Sequence, residues 1–226
     1  MSFTKRIVCL ANSRKLQGRC VAGRELIQGA AAGWIRPVSD REHEEVSEYE
    51  RQYEDGSDPL VLDVIDIPVR EPRPRGYQQE NWLIEPNEYW VRVRKFSWSE
   101  LRPLGDQAGT LWLNGYHTFN GVNDCVPLEQ ALTVENSLKL IYVEKVQLSV
   151  FKPGEAFGNT KRRVQARFQF GGVKYAIWVT DPIIERAYLA REDGDYTLDA
   201  SFLTISLGEP YENRCYKLVA AVIQKV

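Results

Sequence analysis

"VQARFQFGGVKYAIWVTDPII", residues 164–184, contains the local signals that decide the fold. Apolar residues alternate along 164–170, and Gly171-Gly172 is a two-residue hairpin signal that predicts a partner strand over 173–180. Asp181 then stands where a helix N-cap belongs, and Pro182 occupies the first helical position. Apolar residues recur at helical spacing after them. The stretch therefore predicts a strand, a tight turn, a second strand and a helix.

The flanking sequence extends this pattern. "LKLIYVEKVQLSVF" (138–151) is rich in β-branched and aromatic residues and predicts one long strand. "SFLTISL" (201–207) and "CYKLVAAVI" (215–223) predict two more. The order is strand, strand, strand, helix, strand, strand. It fits a five-stranded Greek-key barrel of the OB type whose helix closes one end, although other topologies share this element order.

Period-two alternation assigns faces to the central hairpin of this barrel. Ala166, Phe168 and Phe170 point to one side, and Tyr175, Ile177 and Val179 share that apolar side. Arg167, Lys174 and Trp178 then lie together on the outer face. OB folds bind oligonucleotides on that face and through the loops between strands 1–2 and 4–5. Here those loops are "KPGEAFGNTKRR" (152–163) and "GEPYENR" (208–214).

The first of these loops adds Lys161, Arg162 and Arg163 to the outer face. Cations neutralise phosphates and an aromatic ring stacks on any base, so a basic groove with an aromatic platform is typical of single-strand binding. The alternative is that Trp178 packs under a neighbouring domain and the cations are merely solvated.

The first half predicts strands at 5–11, 60–67 and 89–96, with shorter candidates at 19–23 and 34–38. Residues 12–32 are then expected to form the connection after the first strand, in the place of an OB binding loop. This connection and the "GWIRPVS" stretch (33–39) carry the candidate phosphate contacts Arg14, Lys15, Arg19 and Arg36. Trp34 could stack on a base or plug the barrel.

Charge is unevenly distributed. The net charge is −2, so polyanion binding would have to come from local patches. Residues 40–58 hold nine acids against Arg41 and Arg51, and they predict either a helix with a solvated face or a mobile acidic insertion. A further hypothesis is that this segment covers a basic site when no ligand is bound.

Several strings resemble one known family. They are "CLANSRK" (9–15), "GRCVAG" (18–23), "GWIRPVS" (33–39), "WVTDP" (178–182), "SLGEP" (206–210) and "YKLVAAVI" (216–223), and they are similar to the dual-OB domain, a family of little-characterised prokaryotic proteins. The correspondence is weakest from about residue 40 to residue 130. The resemblance implies two OB-like barrels in one chain. It implies nucleic-acid binding only by analogy of fold, because OB folds also bind proteins and sugars.

Other function classes find little support. No nucleophile–base pattern, Walker motif or dinucleotide glycine pattern occurs, and His43 and His117 are the only histidines. The four cysteines form no C-x-x-C pair, so a zinc site is not expected. No signal peptide and no apolar run of membrane-spanning length is visible, which leads us to expect a cytoplasmic protein without a membrane partner.

The sequence therefore predicts a mostly β protein with short helices and two OB-like five-stranded Greek-key barrels in tandem, over 1–130 and 131–226. The expected function is non-enzymatic binding of single-stranded DNA or RNA without a cofactor. The alternatives are a protein-interaction module using the same surfaces and, less favoured, a metal-dependent phosphodiesterase.

Overall fold

The computed structural model describes residues 2–225 and is mostly β, as predicted. The chain divides into two compact units, Met1–Leu104 with Glu135–Ser137, and Gly105–Val134 with Leu138–Val226. The predicted boundary at residue 130 thus falls inside the second unit. The reason is that residues before it pair with the second unit's strands, as where Val122 and Ala176 exchange backbone hydrogen bonds.

The first unit contains a closed sheet. Its strands are β1 (Phe3–Lys15), β2 (Gly18–Ile27), β3 (Ala30–Val38), β4 (Asp63–Pro72), β5 (Asn81–Ile84) and β6 (Val91–Lys95). The order is β1-β2-β3-β5-β4, and β4 returns to pair with β1. The β3–β5 pair is parallel, whereas the others are antiparallel. This is a closed Greek-key barrel, with β6 as an additional strand on β4.

The second unit repeats the plan. Its strands are β7 (Cys125–Pro127), β8 (Leu138–Val143), β9 (Val146–Phe151), β10 (Arg163–Phe170), β11 (Val173–Val179), β12 (Gly194–Leu198), β13 (Ser201–Tyr211) and β14 (Arg214–Gln224). The sheet runs β9-β10-β11-β14-β13-β8, and β11 is parallel to β14.

The strand predicted over 138–151 is interrupted at Glu144-Lys145 and forms β8 and β9. A matching break separates β12 from β13 in the opposite strand, because β13 pairs with β8 and β12 pairs with β9. Paired breaks let both strands bend while their ladder continues. The first strand (β8 and β9) is therefore paired with the fourth (β12 and β13) across both breaks, which closes the barrel.

The central hairpin and helix form as predicted. Gly171 and Gly172 have φ of 55° and 78°, the positive values that a two-residue turn between twisted strands requires. Asp181 accepts hydrogen bonds from the backbone N–H groups of Ile183 and Ile184 and so caps helix α3 (Pro182–Leu189). The shorter helix α2 (Leu128–Ala131) follows β7 in the same unit. Of the residues assigned to the barrel interior, Phe170 is half-buried against the hydrophobic core, and the others, among them Phe168, are buried in it.

The acidic segment 40–58 is folded. It connects β3 to β4 and contains helix α1 (Glu48–Arg51), which begins with a capping box between Ser47 and Glu50. Its Val46 exchanges backbone hydrogen bonds with Arg19 on β2. No helix among residues 2–225 has the length and apolar character needed to cross a membrane.

Candidate functional site

The outer face of β9, β10 and β11 brings together the predicted hairpin residues. Gln165 pairs with Trp178, Arg167 with Ala176, and Gln169 with Lys174. Because side chains alternate along each strand, Arg167, Lys174 and Trp178 share one face, which we call the β9–β11 face. Arg167 and Lys174 are exposed.

Trp178 is half-buried at the centre of this face. The guanidinium carbon of Arg163 lies 4.0 Å from the centroid of the indole, and the ring of Phe151 lies 5.6 Å away at a 31° tilt. Arg163 and Phe151 are themselves cross-strand partners. Such a cation–π contact holds the arginine over the ring through attraction to the electron-rich face of the indole. The tryptophan thus anchors a cation at this position.

The same face includes one carboxylate. The hydroxyl of Ser149 donates a 2.6 Å hydrogen bond to Asp195, which lowers the pKa of this carboxyl group; Gln147 and the positive charge of Arg167 act in the same direction. Asp195 is therefore ionised at neutral pH. It offsets part of the positive charge of the β9–β11 face.

Two cations predicted to bind nucleic acid from the β9–β10 loop, Lys161 and Arg162, have different surroundings. Lys161 is exposed. The side chain of Arg162 forms an ion pair with Asp193 and donates hydrogen bonds to the carbonyl groups of Leu189 and Arg191, just after helix α3. Unpaired carbonyl groups at a helix C-terminus favour such a cation. Arg162 therefore stabilises the end of the helix, and its predicted contact with nucleic acid stays a prediction.

In the first unit the predicted binding loop over 12–32 is absent. Residues 12–15 continue β1 and turn directly into β2, so that Arg14 pairs with Arg19 and Lys15 pairs with Gly18. Arg14 is exposed, whereas Lys15 and Arg19 are half-buried. Arg14 and Arg19 therefore lie side by side on one face near the end of a hairpin, and Lys15 points to the other face.

Arg36 is not at the surface. Its side chain is 3% exposed; it forms an ion pair of 3.1 Å with Glu80 and donates a 2.7 Å hydrogen bond to Ser137. Ser137 in turn donates a hydrogen bond to Glu80. The prediction that Arg36 binds phosphate is corrected by this burial. Trp34 beside it is also buried, with the guanidinium carbon of Arg24 4.7 Å from the centroid of its ring, so the ring is not exposed for stacking on a base.

Sequence reasoning missed two exposed aromatic residues. Phe119 and Phe157 are 87% and 79% exposed, and their rings meet edge to face with centroids 6.3 Å apart. Phe157 lies in the β9–β10 loop, and Phe119 lies in a turn that precedes the barrel strands. The two flanking glycines, Gly121 and Gly158, were the available signals that these rings stand on turns.

One buried lysine has unusual surroundings. Lys217 is 1% exposed; its ammonium group donates hydrogen bonds to the carbonyl oxygen of Leu113 and the side chain of Asn114. Burial lowers the pKa of Lys217 to about 8. Among residues 2–225 no group of three or more His, Cys, Asp or Glu side chains could hold a metal ion.

The comparisons with known proteins agree with the fold. A family model described as the dual OB-containing domain matches residues 5–222, nearly the whole chain. No curated protein and no solved structure matches it significantly. The two closed barrels and the extent of the match lead to the same conclusion: the chain belongs to the dual OB-containing domain family.

Proposed function

We propose that this protein binds single-stranded or irregular nucleic acid, DNA or RNA, through the β9–β11 face of its second barrel. One observation carries the proposal: Arg163, Arg167 and Lys174 share one side of an OB-type sheet with Trp178, and Arg163 lies over the indole ring. Lys161 extends the cationic group into the adjoining loop.

This arrangement matches the chemistry of a single strand. Its phosphates repeat at short intervals and release bound counterions when Lys or Arg replaces them. Because the whole chain has a net charge of −2, attraction must come from such a local group. Asp195 on the same face reduces the attraction, so we expect moderate affinity that falls steeply with salt.

The hairpin group Arg14, Lys15 and Arg19 is a second proposed contact on the first barrel. Arg14 and Arg19 are cross-strand partners next to a tight turn and Lys15 adjoins them in sequence, an arrangement that suits phosphate contacts but offers no aromatic platform. Arg36 and Arg162 are left out of the proposed interface because each is engaged in the fold.

The test is fluorescence anisotropy with labelled 20-mer single-stranded RNA and DNA over a range of salt concentrations. We expect Arg167→Gln/Lys174→Gln to weaken binding and to reduce the slope of log affinity against log salt by about 1.4, since each phosphate-contacting cation contributes about 0.7 on a single strand. Arg102→Gln/Lys225→Gln removes two exposed cations that do not belong to strands β9–β11 and is the matched control.

Absence of wild-type binding to either oligonucleotide at micromolar protein would refute the proposal. Equal losses in the two variants would also refute the assignment of the face, because they would show only an effect of net charge. Salt-insensitive capture of another protein would instead favour the interaction-module alternative.

A further inference from the structure

Phe119 and Phe157 form an aromatic pair that the proposed function has not yet used. Both rings are almost fully exposed although they contact each other. Phenylalanine has no polar group that water could solvate, so two adjacent exposed rings mark a surface that gains by being covered.

The turn that carries Phe119 is rigidly built. Thr118 donates hydrogen bonds from its backbone N–H and its hydroxyl to Asp124, and the N–H of Gly121 donates to the carbonyl of Thr118. A Cβ atom at Gly121 would lie 1.8 Å from a carboxylate oxygen of Asp124. The turn therefore closes tightly around Asp124 and presents the ring in a fixed place.

The loop that carries Phe157 is equally defined. The carbonyl of Gly154 accepts hydrogen bonds from the backbone N–H groups of both Phe157 and Asn159. Gly158 follows with a φ of 78°, which ends the short 3-10 turn Glu155–Phe157. The exposure of Phe157 is thus a result of the turn and not of a loose segment.

Asn120 connects this pair to the β9–β11 face. Its side-chain amide donates a hydrogen bond of 3.3 Å to the carbonyl of Pro153, and its own carbonyl accepts a 2.7 Å hydrogen bond from Gln165. Gln165 is the cross-strand partner of Trp178. The phenylalanine pair and the cationic face are therefore continuous.

We propose that Phe119 and Phe157 hold an unpaired nucleobase of the strand whose phosphates contact the β9–β11 face; this inference rests on the proposed function. The exposed Lys161, in the same loop as Phe157, supplies a cation for the phosphate next to that base. Bases inside a duplex are stacked on their neighbours and cannot reach the rings. The pair thus makes the site selective for single strands or for bulged and terminal bases.

The experiment compares two 20-mers by anisotropy, oligothymidylate and a deoxyribose phosphate chain of equal length whose positions are abasic. Phe119→Ala/Phe157→Ala should bind oligothymidylate roughly 5- to 150-fold more weakly, as expected for the loss of one stacked base. Its affinity for the abasic chain should stay within about twofold of the wild-type value, because no base is present to stack.

Phe119→Trp/Phe157→Trp should keep the preference for oligothymidylate over the abasic chain. The matched control is Phe3→Ala, which removes an exposed phenylalanine from the first unit. Salt-sensitive wild-type binding that the alanine variant retains would overturn this inference alone. Equal loss on both oligomers would overturn it too, because the rings would then support the loops. Failure of the wild type to bind either oligomer would overturn the proposed function together with it.

Discussion

Replacing Arg36 by methionine should destabilise the first unit without touching the proposed interface. The Arg36 and Glu80 side chains are each 3% exposed and 3.1 Å apart. At an effective dielectric constant of about 20, unit charges at that distance attract by about 5 kcal/mol. Arg36→Met would leave Glu80 buried with only Ser137 as a partner, so we expect a loss of about 3–5 kcal/mol. That is a large part of the ~5–15 kcal/mol that stabilises a domain.

Urea unfolding followed by tryptophan fluorescence measures this loss. Four of the six tryptophans report on the first unit, namely Trp34, Trp82, Trp90 and Trp98. The Arg36→Met/Glu80→Gln variant is the decisive comparison, because removing both charges should cost much less than the sum of the single changes. A cost below about 1 kcal/mol for Arg36→Met, or additive costs in the double variant, would refute the view that this pair is a buried structural interaction.

Three further predictions concern stability and reactivity. The pKa of Lys217 is about 8 in the folded protein and ordinarily near 10.5, so the unfolded chain binds more protons between these pH values. The free energy of unfolding should therefore rise by roughly 2 kcal/mol from pH 7 to 9.5 because of Lys217. Urea unfolding across this pH range measures the rise, which Lys217→Met should lack. A Cβ atom at Gly23 would lie 2.0 Å from the carbonyl oxygen of Val8, so Gly23→Ala should lower the free energy of unfolding by about 1–3 kcal/mol. Gly33 has open space around it, so the control Gly33→Ala should keep the melting temperature within a degree or two of the wild-type value. Burial raises the pKa of the Cys9 thiol to about 12, so mass spectrometry should find Cys9 unalkylated after brief iodoacetamide treatment at pH 8, with labelling appearing in urea.

The second barrel was readily predictable from sequence because its signals are local. Alternation along β10 and β11, the Gly171-Gly172 turn and the Asp181 cap each specify structure within a few residues. The same local alternation placed Arg167, Lys174 and Trp178 on one face. What it could not supply was the covering of Trp178 by Arg163 and Phe151, which depends on cross-strand register.

The first barrel was harder because its decisive contacts are distant in sequence. β5 is only four residues long, Asn81–Ile84, and its position in the sheet depends on its parallel pairing with β3, which is distant in sequence. We predicted that the cations of residues 14–19 lie in a long loop, but they lie on the two paired strands of a hairpin. Arg36 looked like a surface cation because its partners, Glu80 and Ser137, lie 44 and 101 residues away along the chain.

The same separation affects the growing chain on the ribosome. Residues 135–137 belong to the first unit but follow Gly105–Val134, which belong to the second. At a synthesis rate of ~5–20 residues per second, Ser137 is made roughly 2–7 s after Leu104. During this interval the charged side chains of Arg36 and Glu80 lack Ser137, whose hydroxyl group bonds to both. Residues 105–134 have been made by then, but the strands of the second barrel that pair with them have not. The nascent protein thus passes through a stage in which every strand of its first barrel has been made but the buried Arg36–Glu80 pair still lacks Ser137.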